Sequence, residues 1–155
     1  MSDQISFHIN SASEIEIANF LKKCDAYFLP PLSNRVNIED YARKIFQNAM
    51  RFEARASEEL LGLIAIYCNN QEPYNAYITS VSVLKERMGK GIAILLMKKC
   101  IDYSKALGIR MITLEVRSDN LNAIALYKKC QFFIYKVDEL NITMNLYLDC
   151  GKEYE

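Results

Sequence analysis

The chain contains 155 residues, a length typical of one domain, and we expect residues 1–155 to fold as a single unit. Lys and Arg together number 19, as do Asp and Glu, so the formal net charge is zero and the chain lacks the excess of cations that non-specific nucleic-acid binding requires. One histidine, His8, and five dispersed cysteines form no zinc-binding pattern, so we expect no metal site.

The sequence also carries no targeting signal that we can identify. MSDQISFHIN lacks the basic and apolar regions of a signal peptide, and no apolar run approaches the ~20 residues of a membrane span. Unpaired cysteines suit a reducing compartment. We therefore expect a cytoplasmic protein that does not contact a membrane.

The first fifty residues predict one strand and two helices. Residues 5–9, ISFHI, are typical of a short strand, and Ser13 with Glu16 has the spacing of a capping box that opens a helix. This helix must end before Pro30, and Asn37 is placed to cap the second helix. The expected buried stripe of the second helix is Ile38, Tyr41, Ala42, Ile45 and Phe46.

Three strands are predicted next, at residues 50–55, 60–68 and 76–84. The second of them, LLGLIAIYC, is apolar throughout, as expected for a strand that is buried on both faces. Short turns at 56–59 and 69–73 join the three strands, so neighbouring strands should be antiparallel.

The rest of the chain alternates between helix and strand. A helix is predicted from Gly91 or Ile92 to Gly108, followed by a strand at 111–116, a helix at 120–130 and strands at 132–137 and 142–148. The expected buried stripe of the first of these helices is Ile92, Leu95, Leu96, Cys100, Tyr103 and Leu107. We expect the last strand, ITMNLYL, to be an exposed edge that can pair across a dimer, so that the protein is a monomer or a homodimer.

This order of elements predicts an α/β fold with one mixed sheet. The strands of the N-terminal part are antiparallel, whereas the strand–helix–strand unit from Tyr77 to Val116 requires a parallel pair in the middle of the sheet. The whole has about seven strands flanked by about four helices.

The turn RMGKGIA, residues 87–93, has the features of a phosphate-binding turn. The first N–H groups of the following helix have no partner within the helix, and glycines let a ligand approach the backbone closely. The segment is not a P-loop, which needs GxxxxGK followed by Ser or Thr, nor a GxGxxG dinucleotide turn. A glycine turn that only joins strand to helix remains the alternative.

Two segments resemble the GCN5-related N-acetyltransferase (GNAT) superfamily. Val83 to Ala93, VLKERMGKGIA, is similar to its acyl-CoA signature V-x-P-x-x-(R/Q)-G-x-G-(I/L)-(G/A), and Leu114 to Phe132 is similar to a second block, especially in the ribosomal-protein alanine N-acetyltransferase branch. The sequence departs from these patterns at three positions. Met88 stands where Arg or Gln is usual, Lys85 where Pro is usual, and Gln131 where Gly is usual.

The resemblance implies a GNAT-like fold and acetyl-CoA as co-substrate, with no metal. Asn120 is implied at the coenzyme and is equally well placed to cap the following helix. Lys128 and Lys129 are candidates for binding the 3′-phosphate of coenzyme A, and the alternative is that they belong to a solvated helix face. The residues that the resemblance implies at the coenzyme are Val81, Ser82, Val83, Met88, Gly89, Lys90, Gly91, Ile92, Ala93, Asn120 and Tyr127.

The resemblance also implies two catalytic residues. Glu115 is the candidate general base that takes a proton from the amine, directly or through water, and Tyr127 is the candidate general acid toward the departing sulfur. The residues alone leave alternatives open, because Glu115 can be a strand-end carboxylate paired with Arg117 and Tyr127 can be a core tyrosine.

The implied acceptor site lies at the first two helices and their loop, here Tyr27 to Tyr41, with Arg35 and Tyr41 as candidate substrate-binding residues. We expect a small primary amine as acceptor, of the amino sugar, amino acid or polyamine type. A protein N-terminus is the alternative acceptor, and a non-catalytic acyl-CoA-binding module is the alternative function.

Overall fold

A computed structural model describes residues 4–28, 30–68 and 74–148. Within these residues the chain forms seven strands and four α-helices. The strands are β1 (Ile5–Ile9), β2 (Met50–Ala56), β3 (Glu59–Cys68), β4 (Asn75–Val83), β5 (Met111–Arg117), β6 (Phe133–Asp138) and β7 (Asn141–Tyr147). The helices are α1 (Glu14–Cys24), α2 (Ile38–Asn48), α3 (Ile92–Ala106) and α4 (Leu121–Lys129).

All seven strands belong to one mixed sheet in the order β1-β2-β3-β4-β5-β7-β6. Neighbours are antiparallel except β4 and β5, which are parallel. The predicted α/β fold, with an antiparallel N-terminal part, a central parallel pair and four helices, is confirmed.

The parallel pair is short, and this creates the space for a site. β4 and β5 pair only over Asn75–Tyr77 and Met111–Thr113, although β4 continues to Val83 and β5 to Arg117. The two strands therefore separate toward their carboxyl ends, leaving an opening in the middle of the sheet. Ligands of open sheets that contain parallel strands commonly bind at this edge.

Local sequence signals set most of the helix ends. Ser13 and Glu16 form the predicted capping box of α1, and the Asn37 side chain caps α2 by accepting the Asp40 N–H at 2.9 Å. Gly108 follows α3 with a φ of 86°, as predicted for a left-handed helix end. The predicted turn at 69–73 lies outside the described residues, as does Cys150.

The predicted buried stripes of α2 and α3 are wrong in part. Phe46 is 41% exposed and lies outside the core, and its ring packs against the Arg51 guanidinium, 5.2 Å from ring centroid to Cζ. On α3, Leu95, Tyr103 and Leu107 are exposed. The buried face of α3 is instead Ile92, Leu96, Met97, Cys100 and Ser104.

Gly62 of β3 explains the rotation of α3. A Cβ atom at Gly62 would lie 3.1 Å from Leu96 Cδ1 and 3.2 Å from Ile92 Cγ2. The helix thus packs closely where the strand has no side chain, which fixes Ile92 and Leu96 toward the sheet.

The prediction that the last strand is an edge is wrong. β7 lies between β5 and β6, and its residues Ile142, Met144 and Leu146 are buried at positions that pair with Val116, Leu114 and Ile112 of β5. The edge strand at this end of the sheet is β6, whose six residues are all exposed. Because β7 pairs with β5 on one side and with β6 on the other, ITMNLYL offers no free edge for a dimer.

Candidate active site

The turn before α3 presents backbone rather than side chains to the opening between β4 and β5. Gly89 and Gly91 have φ values of 78° and 81°, a conformation that strains any other L-residue. Gly91 is the N-cap of α3 and supplies no side chain to its first N–H groups. A Cβ atom built on either glycine would meet nothing within 4 Å. The space in front of this helix N-terminus is therefore open, as a pyrophosphate group requires.

A cavity of about 640 Å³ lies against this turn and is large enough for a coenzyme arm. Lys90, the remaining residue predicted at the coenzyme, is exposed and does not line the cavity. The predicted residues that line it are Val81, Ser82, Val83, Met88, Gly89, Gly91, Ile92, Ala93, Asn120 and Tyr127.

Sequence reasoning missed two groups of lining residues. Tyr27 and Phe28 come from the connection between α1 and α2, which was expected at the acceptor and not at the coenzyme. On α4 the cavity is also lined by Asn122, Ala123 and Leu126, next to the predicted Tyr127. These positions repeat at three or four residues, so the helix face bearing Tyr127 could have identified them. Of the two lysines considered for the 3′-phosphate, Lys129 lines the cavity and Lys128 does not.

A second cavity of about 270 Å³ lies beside the first one. Its walls include Arg35, Tyr41 and Glu115, together with Thr79, Ser80, Arg117 and Asn141, which the sequence did not indicate. The two cavities share Phe28, Val81, Asn120 and Tyr127. They therefore meet at the Tyr127 side chain, which is the predicted position of the reacting atoms.

Tyr127 is 7% exposed, and its ring lies 6.0 Å from that of Phe132. Burial raises the pKa of the Tyr127 hydroxyl far above its ordinary value, so this group stays protonated. Among the described residues, none forms a hydrogen bond with the Tyr127 hydroxyl. The phenol therefore remains available to donate a hydrogen bond to a ligand.

Glu115 lies on β5, between the buried residues Leu114 and Val116, and is itself exposed. The alternative pairing with Arg117 is not present, because the Arg117 guanidinium donates to Asp119 at 3.0 and 3.3 Å. Among the residues that the structure describes, none forms an ion pair or hydrogen bond with the Glu115 carboxylate. Its charge helps to raise the pKa of Tyr77, although burial is the main cause.

Tyr41 and Arg35 also line the second cavity. The Tyr41 hydroxyl donates to the Thr79 carbonyl oxygen at 2.6 Å, which fixes α2 to β4. Arg35 follows a short 3-10 turn, Leu32–Asn34, that is held by the Ser33 N–H donating to Asp25 Oδ1 at 2.8 Å. The loop thus carries Arg35 on a fixed turn.

Asn120 has a structural contact of its own. Its side chain accepts the Ala123 N–H at 3.3 Å and caps α4, as one of the two predictions stated, while the residue also lines both cavities.

Within 4–28, 30–68 and 74–148, no group of three or more His, Cys, Asp or Glu is arranged to hold a metal ion. In the same ranges, none of the helices has the length and apolar character needed to cross a bilayer.

Residues 15–132 match the model of the acetyltransferase (GNAT) family. No curated protein matches the chain. Solved structures with a similar fold include a ribosomal-protein alanine N-acetyltransferase from Escherichia coli, at 17% identity, coverage of 96% of this chain and 97% of that one, and a TM-score of 0.72.

Two further structures have the same fold. A putative acetyltransferase, yncA, from Salmonella typhimurium, solved with its cofactor acetyl-CoA, has 17% identity, 94% coverage of each chain and a TM-score of 0.73. A chimeric spermidine N-acetyltransferase from Vibrio cholerae has 20% identity, coverage of 93% and 95%, and a TM-score of 0.70. At these identities the structures show a common fold. Since the family model spans most of the chain, the protein belongs to the GNAT family of N-acetyltransferases, which use acetyl-CoA.

Proposed function

We propose that this enzyme transfers an acetyl group from acetyl-CoA directly to the primary amine of a small molecule while both are bound. The observation that carries the proposal is the meeting of two cavities at Tyr127, one lined by the glycine turn and the other by Glu115. Acetyl-CoA supplies the thioester, and the chain supplies binding, orientation and proton transfer.

The coenzyme residues act mainly through the backbone. The N-terminus of α3 and the glycine turn at Gly89 and Gly91 suit a pyrophosphate, and the positive end of the helix dipole favours its charge. Val81 and Val83 lie on β4 beyond its last pair with β5, so their peptide groups can serve an extended ligand between the strands. Met88 lines the same cavity in place of the usual Arg or Gln, and these backbone donors do not depend on it.

Glu115 and Tyr127 have complementary roles in the proposed reaction. An alkylamine is mostly protonated at neutral pH, and the Glu115 carboxylate accepts the proton that the amine must lose. The Tyr127 hydroxyl, which burial keeps protonated, donates toward the sulfur as the thiolate leaves. The amine nitrogen forms the new bond to the acetyl carbon as the carbon–sulfur bond breaks, so no covalent intermediate with the enzyme is required.

A protein N-terminus is the second candidate acceptor, favoured by the resemblance of Leu114 to Phe132 to the ribosomal-protein branch. The cavity of about 270 Å³ at Glu115 favours a small acceptor instead. A non-catalytic acyl-CoA-binding module would have no need of both Glu115 and Tyr127 at one junction. The cytoplasmic location and the choice between monomer and homodimer stay predictions.

The test combines thermal unfolding with a thiol-release assay. Acetyl-CoA should raise the melting temperature, and thiol should appear only when a suitable small amine is added. Stabilisation without release for every small amine, with release for an N-terminal peptide, would shift the function to the second candidate. Stabilisation without release for any amine or peptide over the pH range 7 to 10, which spans the ionisation of an alkylamine at about pH 10, would contradict the catalytic proposal.

A further inference from the structure

The second cavity, of about 270 Å³, is the proposed acceptor cavity, and the charges around it are distributed unevenly. Three charged side chains line it, those of Glu115, Arg35 and Arg117. Arg117 is already neutralised by Asp119, whose carboxylate accepts two hydrogen bonds from it. One anion and one cation therefore remain available to a ligand.

Neither of these two charges is paired within the described residues 4–28, 30–68 and 74–148. In the described part of the chain, no carboxylate lies within 4 Å of the Arg35 guanidinium, and no cation lies within 4 Å of the Glu115 carboxylate. By contrast, Arg43, Arg51 and Arg55 each pair with a carboxylate. The loop thus directs an uncompensated cation to a cavity that also holds an uncompensated anion.

The two charges act on the same neighbours. Burial raises the pKa of Tyr77, the Glu115 charge raises it further, and the Arg35 charge lowers it. Arg35 also lowers the pKa of Tyr41, against a larger effect of burial. Glu115 and Arg35 also line the same cavity of about 270 Å³, so one small molecule in this cavity can reach both.

We propose that the acceptor is an amino acid, with its ammonium group at Glu115 and its carboxylate at Arg35. This inference rests on the proposed function and names the acceptor of the same site. A planar guanidinium binds a carboxylate through two parallel hydrogen bonds, and Glu115 orients the same amine whose proton it accepts.

The other two small acceptors fit these charges less well. A polyamine would bring a second ammonium group toward Arg35, and like charges repel. An amino sugar satisfies Glu115 but leaves Arg35 without an anion. Only a molecule that carries an amine and an anion satisfies both residues.

The experiment measures binding and turnover separately. Alanine, methionine and glutamate, each with its amide and its decarboxylated amine, are titrated into the protein saturated with CoA, and the same compounds are assayed for thiol release with acetyl-CoA. Removing the carboxylate of the best amino acid should weaken binding by about tenfold or more, because hydrogen bonds to charged groups are the strong ones.

Variants at Arg35 identify the contact. Arg35→Gln should weaken binding of the amino acid by the same factor and leave binding of the decarboxylated amine unaffected. The affinity of Arg35→Lys for the amino acid should lie between those of the unmodified protein and Arg35→Gln. Arg35 is exposed and does not line the coenzyme cavity, which is the cavity of about 640 Å³ beside the glycine turn. The affinity for acetyl-CoA should therefore not change. Arg43→Gln, which changes an exposed arginine of α2 outside both cavities, is the matched control.

Each outcome separates the two proposals. Amino acid binding that depends on Arg35 but gives no thiol release would support the amino acid site and contradict the transferase proposal for it. Thiol release with carboxylate-free amines at equal affinity would support the transferase and overturn the amino acid inference. Absence of both binding and release for every amino acid, or tighter binding of aminoethyl phosphate than of any amino acid, would also overturn it.

Discussion

The environments of Glu115 and Tyr127 differ in the way that a base and an acid require. Glu115 is exposed and lies beside the acceptor cavity, whereas Tyr127 is buried where the two cavities meet. The exposed Glu115 carboxylate is accessible to solvent and to a ligand in this cavity. A buried phenol stays protonated because desolvation penalises the phenolate.

Glu115→Gln should lower kcat/KM for the amine by about 10²- to 10⁴-fold at neutral pH, the usual range for loss of a general base. The deficit should shrink as pH rises, because the amine then loses its proton to solvent without help. The pH profile of thiol release measures both effects. An unchanged rate at neutral pH, with acetyl-CoA affinity also unchanged, would remove Glu115 from the mechanism.

Gln131 occupies a position where the family pattern has glycine, and its backbone shows why. Its φ is 79°, at the end of α4, where the Phe132 N–H donates to the Tyr127 carbonyl at 3.0 Å. A residue with a Cβ atom is strained there by about 1–2 kcal/mol. A glycine variant would relieve this strain, but part of the gain in stability is offset because glycine increases the conformational entropy of the unfolded chain.

Gln131→Gly should therefore raise the melting temperature, by about 2 °C, since about 1 kcal/mol corresponds to roughly 2–4 °C at this chain length. Gln131→Ala is the control, because it removes the side chain and keeps the strain, and it should leave the melting temperature nearly unchanged. Equal gains from both variants would locate the cost in the glutamine side chain instead of in the backbone.

At the scale of elements, α1 is fixed to the sheet by Glu16. Its carboxylate accepts the Ser13 N–H at 3.0 Å and two hydrogen bonds from Arg55 of β2, at 2.9 and 3.0 Å. These contacts, the Arg55 hydrogen bonds first, lower the pKa of Glu16 below its ordinary value of 4.5. The helix that leads into the acceptor loop therefore depends on a charged carboxylate.

A depressed folded-state pKa stabilises the protein above the unfolded-state pKa, and the contribution is lost as pH falls through the folded-state value. A double-mutant cycle of Glu16→Gln and Arg55→Gln should give a coupling energy of about 1 kcal/mol or less at pH 7, since Glu16 is partly exposed. Glutamine preserves the capping box, so the cycle isolates the charge. Urea unfolding measures it, and a coupling that stays constant down to pH 3 would contradict the assignment.

The same scale shows what the sequence could and could not predict. Caps and turns such as Ser13, Asn37 and Gly108 act over a few residues, so helix ends were predicted well. The rotation of α3 depends on Gly62, thirty residues away, and the position of β7 depends on pairing with β5. Single-segment patterns contain neither contact.

The candidate site divides in the same way. The glycine turn and Tyr127 belong to continuous motifs, so their neighbourhood was predicted from the sequence. Tyr27 and Phe28 of the loop after α1 line the cavities together with residues of β4 such as Thr79, and this tertiary packing is not contained in any continuous motif. Lys90 belongs to the motif, yet it is exposed and does not line the cavity, which the motif spacing alone does not specify.

At the scale of the whole molecule, the two halves of the sheet have little direct connection. β4 and β5 share three residue pairs, and the coenzyme cavity lies between β4 and α3 on one side and α4 on the other. A ligand in this cavity contacts both halves. A ligand that binds only the folded state raises the free energy of unfolding by about 2.7 kcal/mol when its concentration is about one hundred times its Kd.

Acetyl-CoA should therefore slow amide hydrogen exchange in β5, α4 and β7 as well as in the glycine turn, because opening of one half now breaks contacts with the ligand. The Gly91→Ala variant, which strains the turn at a φ of 81°, is the matched control. It should need more acetyl-CoA to reach the same protection. Exchange measured by mass spectrometry resolves the segments, and slowing confined to residues 87–93 would mean that the halves are coupled through the sheet and not through the coenzyme.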